Sequence, residues 1–571
     1  MRATSGLRAA CLVLALALLG PACTGRDEDD GGDGMRGGTL RVLSEDDIDA
    51  LDTAVIYTPQ GVAIGRAYAR SLYGYDLYGP PEKRAVPVPD IASGPAQVSA
   101  DRRTYTFTLR PGVRYAPPVD REITAQDFIT AIERFYVKDT GSPGSQWANL
   151  IAGATAFGAG EADTISGLAA PDPHTLRITL DRPADDFLSM LARPNFAPVP
   201  KEHADNYGVG KRYDGHVVGS GPYKLAIYVP DETVVLDRNP HWDPTTDPLR
   251  KAWVDRIQIK LNIRVSSIQR AIDRGTADLS LTSHVNAAHV PTLRADPERS
   301  GRLSVEPSGC QVFLVLGTHP GAGAIADVRV RRAVNYAIDK DAYRDALARR
   351  YGGHGELAST ILAPTSLGYQ QYDLYPTPGG RGDPAKAKAL LAEAGYPDGL
   401  TLTFATVGEG RLAAANKAIK DSLARAGIDL KVKAYDGIAL WEKSLQVPAK
   451  RLEHQLGLNG WCPDYLGDNA RQAIVAQYDG RLPPGASGNF SEYQNPAVNR
   501  LIDRARAEPD PARRAALWAE TDRRIMQDAP MVPLVWENHA YLWAPRVHGW
   551  VYDPWTSTPD LTAPWLDPSS P

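Results

Sequence analysis

Two β-α-β patterns sit well over a hundred residues apart in this chain, and a single sheet with one core does not hold both. In the first, DRIQIKLNI (255–263) puts Ile257, Ile259, Leu261 and Ile263 on one face at period two, a strand. Ser266 and Ser267 are placed to cap a helix carrying Ile268, Ala271 and Ile272, which stops at Gly275, and 277–281 forms the next strand. In the second, LTLTFATV (400–407) alternates Leu400, Leu402 and Phe404 with threonines. A helix with Ala415, Ile419 and Leu423 follows and stops at Gly427, and then Ile428, Leu430, Val432 and Ala434 alternate. Just upstream, Asp383 and Pro384 open a helix as N-cap and N1, Leu390 and Leu391 give it an apolar face, and Gly395 ends it. Each unit implies parallel strands joined by a right-handed crossover. Together they predict two α/β lobes. Length agrees, since 571 residues exceed the roughly 250–300 at which one core stops growing.

The segment 85–200 follows another pattern. YTFTLR (105–110) and HTLRITL (174–180) are strand-like, and Thr124 to Asp127 make a capping-box start for a helix striped by Phe128, Ile129, Ile132 and Tyr136. This segment is expected to be an inserted subdomain.

Composition narrows the partners. With 63 Lys+Arg against 68 Asp+Glu the net charge is −5, and no basic patch stands out, so nucleic acid is excluded as a partner. Hydrophobic residues make up 43%, and 51 Gly with 46 Pro fall short of a low-complexity chain, which rules out disorder, collagen and a polytopic membrane protein.

At the N-terminus, Arg2 and Arg8 precede the apolar run AACLVLALALL (9–19). That run is too short to span a bilayer of about 30 Å but suits the core of an export signal ending at Ala22. TGRDEDDGGDGMRGG (24–38) then reads as a flexible acidic tether. Cys11 falls in the signal and Cys23 at its end, leaving Cys310 and Cys462 in the folded part. In an exported chain these two most simply form one disulfide, with two free buried thiols as the alternative. Neither has a second Cys or a His at ligand spacing, so no metal site is expected.

No catalytic signature is present: there is no H-E-x-x-H, Walker or G-x-S-x-G motif. Gly219-Ser220-Gly221 lacks the spacing of a nucleophile elbow, and His284 and His289 are five apart, wrong for helical chelation. An exported α/β hydrolase would need a Ser, His and Asp assembled by the fold alone. The chain is not expected to be an enzyme, and no cofactor is called for.

Ordered blocks along the chain carry a resemblance. They are GGTLRV (37–42), TYTFTLRPGVRY (104–115) with ITAQDF (123–128), GSGPYKL (219–225), LDRNPHW (236–242) and DVRVRRAVNYAIDK (327–340). DPAKAKALLAEAGYPDGL (383–400), WCPDY (461–465), YQNPAVNRLI (493–502) and DAPMVPL (528–534) continue the series. They resemble the bacterial extracellular solute-binding proteins of the oligopeptide/dipeptide/nickel class, family 5. One departure is the stretch 116–122, where Ala116-Pro117-Pro118 replaces the family's usual acidic-Gly turn. Cys23 after the small Ala22 is similar to the lipobox of bacterial lipoproteins, with Gly20 where that motif prefers Leu; ordinary secretion is the alternative.

The resemblance implies a two-lobed, hinge-type periplasmic binding protein fold with an extra subdomain inserted in the first lobe. It gives a signal at 1–22, a lipid-anchored tether at 23–38, and first-lobe parts at 39–80, 200–309 and 534–571. The insert takes 81–199 and the second lobe 310–533. It also implies a monomer at the outer face of the cytoplasmic membrane that passes peptides to an ABC permease and, through it, an ATPase.

The strand LGLNGWCPDY (456–465) runs into a loop, and ligands of open α/β sheets bind beyond the carboxyl ends of strands. This loop resembles the Gly-Trp-Cys-x-Asp segment of the oligopeptide-binding branch. By that resemblance Gly460 and Cys462 offer main-chain bonds, Trp461 an apolar wall and Asp464 the counter-ion of the peptide's α-amino group. The bland alternatives are core packing for Trp461 and a turn role for Asp464 after Pro463. Tyr57, near Leu51-Asp52, is a further candidate lining residue. Competing functions are a sugar- or nickel-chelate-binding protein on the same scaffold, or a surface peptide receptor without transport.

Overall fold

The computed structural model describes residues 34–570 apart from 139, 352–354, 409–411, 436–438 and 483–487. The expected signal, Cys23 and the tether up to residue 33 lie outside the described residues.

The first lobe is built on a five-stranded sheet in the order Leu279–Ser280, Thr39–Leu43, Arg256–Lys260, Thr233–Arg238, Tyr223–Val229. Thr39–Leu43 pairs in parallel with strands on both sides, so the β-α-β unit has a third strand slotted between its two. Its helix, Val265–Asp273, is capped at Arg264. Ser266 and Ser267 fall in the first turn instead of capping it, a correction to the sequence expectation; Ile268 and Ile272 are buried as the pattern demanded. The remaining two strands continue antiparallel from Arg256–Lys260.

The second lobe carries a six-stranded sheet in the order Glu356–Leu357, Met531–Leu542, Leu303–Leu316, Leu456–Trp461, Leu400–Val407, Ile428–Tyr435. The last two pair in parallel around the helix Ala413–Arg425, as the second β-α-β unit requires. Asp383 caps Pro384–Glu393 by accepting from the Lys386 N–H. Helices bury Val330, Val334, Ile419, Leu423, Ile474 and Ile502 against this sheet.

Between residues 85 and 200, Thr104–Thr108 and Thr175–Thr179 pair antiparallel within a four-stranded sheet. The helix Ala125–Glu133 starts with a capping box in which Thr124 and Asp127 each accept from the other's main-chain N–H. Phe107, Phe128, Ile132, Leu176 and Ile178 share one core here.

Two long strands pass from lobe to lobe. Leu303–Leu316 and Met531–Leu542 pair antiparallel, with the register broken between Pro307 and Gln311. Gly309 stands in that break at φ +70°, a left-handed conformation that disfavours a side chain. On one side of the break Ala540 and Leu542 pack with Val285 and Val290; on the other, Phe313, Leu314 and Val535 enter the second-lobe core. No helix among the described residues is long and apolar enough to cross a membrane.

Candidate functional site

The strand Leu456–Trp461 is covered on one side along its whole length and on the other only at its start. Leu303–Leu316 pairs with it from Leu456 to Trp461, whereas Leu400–Val407 meets only Leu456 and Gly457. From Leu458 to Trp461 no described strand takes the second side, and Gly460 is exposed there. An edge of this kind offers main-chain groups to an added strand.

Beyond the edge the chain turns through Cys462 and Pro463. Cys462 is bonded to Cys310, with the two Cα atoms 4.2 Å apart, so the turn is fastened to the inter-lobe strand close to its register break. Asp464 comes next, and groups from four other segments converge on it. Trp147 Nε1 donates to its Oδ2 at 3.3 Å and Gln472 Nε2 to the same oxygen at 2.7 Å. Its main-chain oxygen accepts from Trp555 Nε1 at 2.8 Å and from Arg193 Nη1.

Aromatic rings frame this acid. The Arg193 guanidinium, almost fully buried, lies 3.8 Å from the Trp147 ring centre and 5.4 Å from that of Trp555. Tyr57 stacks on Trp147 at 6.5 Å with 22° between the planes. Burial pushes the Asp464 carboxyl up from its ordinary value, opposed by Arg193 and by hydrogen bonds from Trp147, Tyr57 and Gln472. The negative charge of Asp464, with burial second, pushes the Tyr57 hydroxyl up. Burial also pushes Arg193 down, against the pull of Asp464.

Immediately after Asp464 the loop plugs into the inserted subdomain. Tyr465 and Leu466 are buried in that core, and the Tyr465 hydroxyl donates to Asp186. Arg471 reaches Asp186 at 2.6 Å, while Arg514 bridges Asp185 at 3.1 Å and Asp468 at 2.7 Å. Burial, reinforced by Asp186 and Asp185, pushes the Asp468 carboxyl up to about 6 despite Arg514. The two lobes therefore meet on both sides of Asp464.

Of the residues singled out from sequence, Asp464 and Tyr57 are brought together, and Gly460 stands on the open edge. Trp461 is half-buried and packs against the second-lobe core, so part of its surface is ordinary packing. Cys310 and Cys462 are paired. Trp147, Arg193, Gln472 and Trp555 escaped sequence reading. Each belongs to a separate stretch without a local signature, and only tertiary packing collects them. The Gly219-Ser220-Gly221 turn packs under Tyr68, whose carbonyl accepts from the Gly221 N–H at 2.8 Å, and Ser220 is buried. His284 is buried against Tyr541, its imidazole pushed down to about 4 by burial.

Residues 86–477 match the family described as bacterial extracellular solute-binding proteins, family 5 (middle region). The chain belongs to this family. It is a family of solute-binding proteins, not of enzymes. The dipeptide-binding protein of Escherichia coli (strain K12) is 27% identical over 524 residues, covering 87% of this chain and 90% of its own. The periplasmic oligopeptide-binding protein OppA of Salmonella typhimurium (strain LT2) is 25% identical over 481 residues, 79% of each. Among solved structures, clavulanic acid biosynthesis oligopeptide binding protein 2 superposes with a TM-score of 0.85 at 33% identity, covering 93% of this chain and 96% of that one. The family's two-lobed architecture is the one described above.

Proposed function

We propose that this protein captures peptides outside the cytoplasm and delivers them to the permease of an ABC importer, whose ATPase drives uptake. One observation carries the reading: the strand Leu456–Trp461, with no described strand on its second side beyond Gly457 and with Gly460 exposed there, leads straight to a half-buried carboxylate, Asp464, where the lobes meet. Main-chain pairing along the edge is indifferent to ligand side chains, and Asp464 complements an α-ammonium group. Gly460 and Cys462 supply main-chain groups, and Trp461 and Tyr57 form walls. Similarity to dipeptide- and oligopeptide-binding proteins supports this. A signal at 1–22, a lipid on Cys23 and a tether through 38 would hold a monomer at the outer face of the cytoplasmic membrane. The lobe boundaries given above are proposed as its working units.

Calorimetry tests the anchor. Asp464→Ala leaves a ligand ammonium buried without its partner, at a cost of about 2–5 kcal/mol, or roughly 30- to 5,000-fold in Kd. Acetylating the peptide N-terminus removes the same interaction from the other side, so the two changes should be strongly non-additive. Additive effects, or normal binding of free peptide by the variant, would return the sugar or chelate readings to the front.

A further inference from the structure

On the peptide reading, on which the following rests, Asp464 meets the ligand's ammonium. Side chains from two cores hold that residue. On the second-lobe side, Gln472 stands on the helix Ala470–Tyr478, whose Ala470, Ala473 and Ile474 enter the core with Leu456 and Leu458. Its Nε2 donates to Asp464 Oδ2, and its Oε1 accepts the Asp464 main-chain N–H at 3.0 Å. Across the boundary, Trp147 and Trp555 share the insert core with Phe107 and Leu176, and Arg193 is flanked by Leu191, Ala192 and Phe196 of the same core. Trp555 and Arg193 both donate to the main-chain oxygen of Asp464, not to its carboxylate.

Arg193 reaches further than the others. Its Nε donates to Asn195 Oδ1 at 3.1 Å, and the buried Asn195 donates from Nδ2 to the carbonyls of Thr53 and Ile56 at 2.9 Å each. Ile56 directly precedes Tyr57, so one guanidinium links the Asp464 turn, through one amide, to the main chain that carries the Tyr57 wall. The same guanidinium lies 3.8 Å from the Trp147 ring centre. A planar group with fixed donors serves both acceptors while lying on a ring, a geometry that the compact ammonium of a lysine does not reproduce.

We propose that Arg193 is the positioning residue that makes recognition of the ligand's ammonium depend on lobe closure. By holding Asp464 through its main-chain oxygen, it fixes the anchor's backbone while its donors stay off the carboxylate. With the lobes apart, the bonds from Arg193, Trp555 and Trp147 are gone, and of these four partners Gln472 alone still holds the residue. A peptide meeting the open second lobe therefore gains main-chain pairing first and its ammonium contact on closure.

The test uses the tightest-binding member of a tri- to penta-alanine series and its N-acetyl form, by calorimetry at neutral pH. The wild type should prefer the free peptide by at least about 30-fold. Arg193→Met should cut that preference by at least about tenfold, because a charged donor to Asp464 is lost, and Arg193→Lys should restore part of it. Trp555→Phe keeps the ring and removes only the second donor to the same oxygen, so it should cut the preference by about two- to tenfold and serves as well if the Met variant folds poorly. A purely structural role would weaken free and acetylated peptides alike and leave the preference unmoved. Small-angle scattering at saturating free peptide should show both variants contracting less than the wild type. A preference unmoved or raised in the variants, or one lowered with contraction as full as the wild type's, overturns the proposal and leaves the amine anchor standing. An acetyl form that the wild type binds as well as the free peptide overturns the anchor itself.

Discussion

Asp52 is buried and Asp464 half-buried, each beside a buried arginine, and the protein completes them differently. Arg134 grips Asp52 with two parallel bonds of 2.9 Å, and the N–H groups of Ala54 and Gly210 fill the other positions at 3.0 and 2.7 Å. Arg134 finishes on the Gly208 carbonyl at 2.8 Å. The Asp52 carboxylate is fully taken up, and only Arg134 Nε is left without a hydrogen-bond partner. Arg193, in contrast, donates to the main-chain oxygen of Asp464 and to Asn195 Oδ1 at 3.1 Å, so it stands beside the carboxylate without bonding it. The first pair is finished by the fold and holds the first lobe to its insert. On the proposed reading, the second is completed by a ligand.

The largest expected effect follows from that contrast. Asp52→Ala strands the Arg134 guanidinium and should cost about 3–5 kcal/mol of stability in denaturant unfolding, with peptide affinity of the folded protein unchanged. Asp464→Ala should show the reverse, a large loss of affinity with unfolding shifted by less than about 1 kcal/mol. Equal destabilisation by both would erase the distinction.

Next in size is the disulfide beside the anchor. Cys310 and Cys462 close a loop with a sequence separation of 152. Replacing both with serine should cost about 2–4 kcal/mol and also weaken peptide binding, because the turn before Asp464 loses its fastening. Thiol labelling of the unfolded, unreduced protein should find neither residue reactive.

Two pH effects are smaller. Asp468, held at about 6 when folded against an ordinary 3.8, disfavours the folded state once ionised. Its contribution is fully present below about pH 4 and is lost as pH rises through 6, a change of at most about 3 kcal/mol. Asp468→Asn should flatten that part of the stability profile. For Asp464 the sign concerns binding: its carboxyl is raised in the free protein, and a ligand ammonium needs it ionised. Affinity should rise with pH through that raised value and then level off, by at most about tenfold per pH unit. A flat profile would argue that Asp464 does not meet the ligand's charge.

How much of this was legible in the sequence depends on range. The alternation in 400–407 and 428–434 and the Asp383-Pro384 start are local, and the structure follows them. The Ser266 expectation failed because a serine signals a helix start without specifying which residue of the first turn it occupies. Asp464 was visible because its motif is contiguous. Trp147 and Arg193 lie some 270 to 320 residues away in sequence from the acid they contact, and no periodicity connects them. Trp147 is one tryptophan among eleven, and nothing local marks it.

The strand Leu400–Val407 stops pairing with Leu456–Trp461 after Gly457, and that early stop acts as a ruler. The stretch from Leu458 to Trp461, past that stop, measures about 13 Å at roughly 3.3 Å per residue. On the proposed reading, a guest anchored at Asp464 lies flat along about that length, and the number of its residues held by backbone is set by where a neighbouring strand gives out.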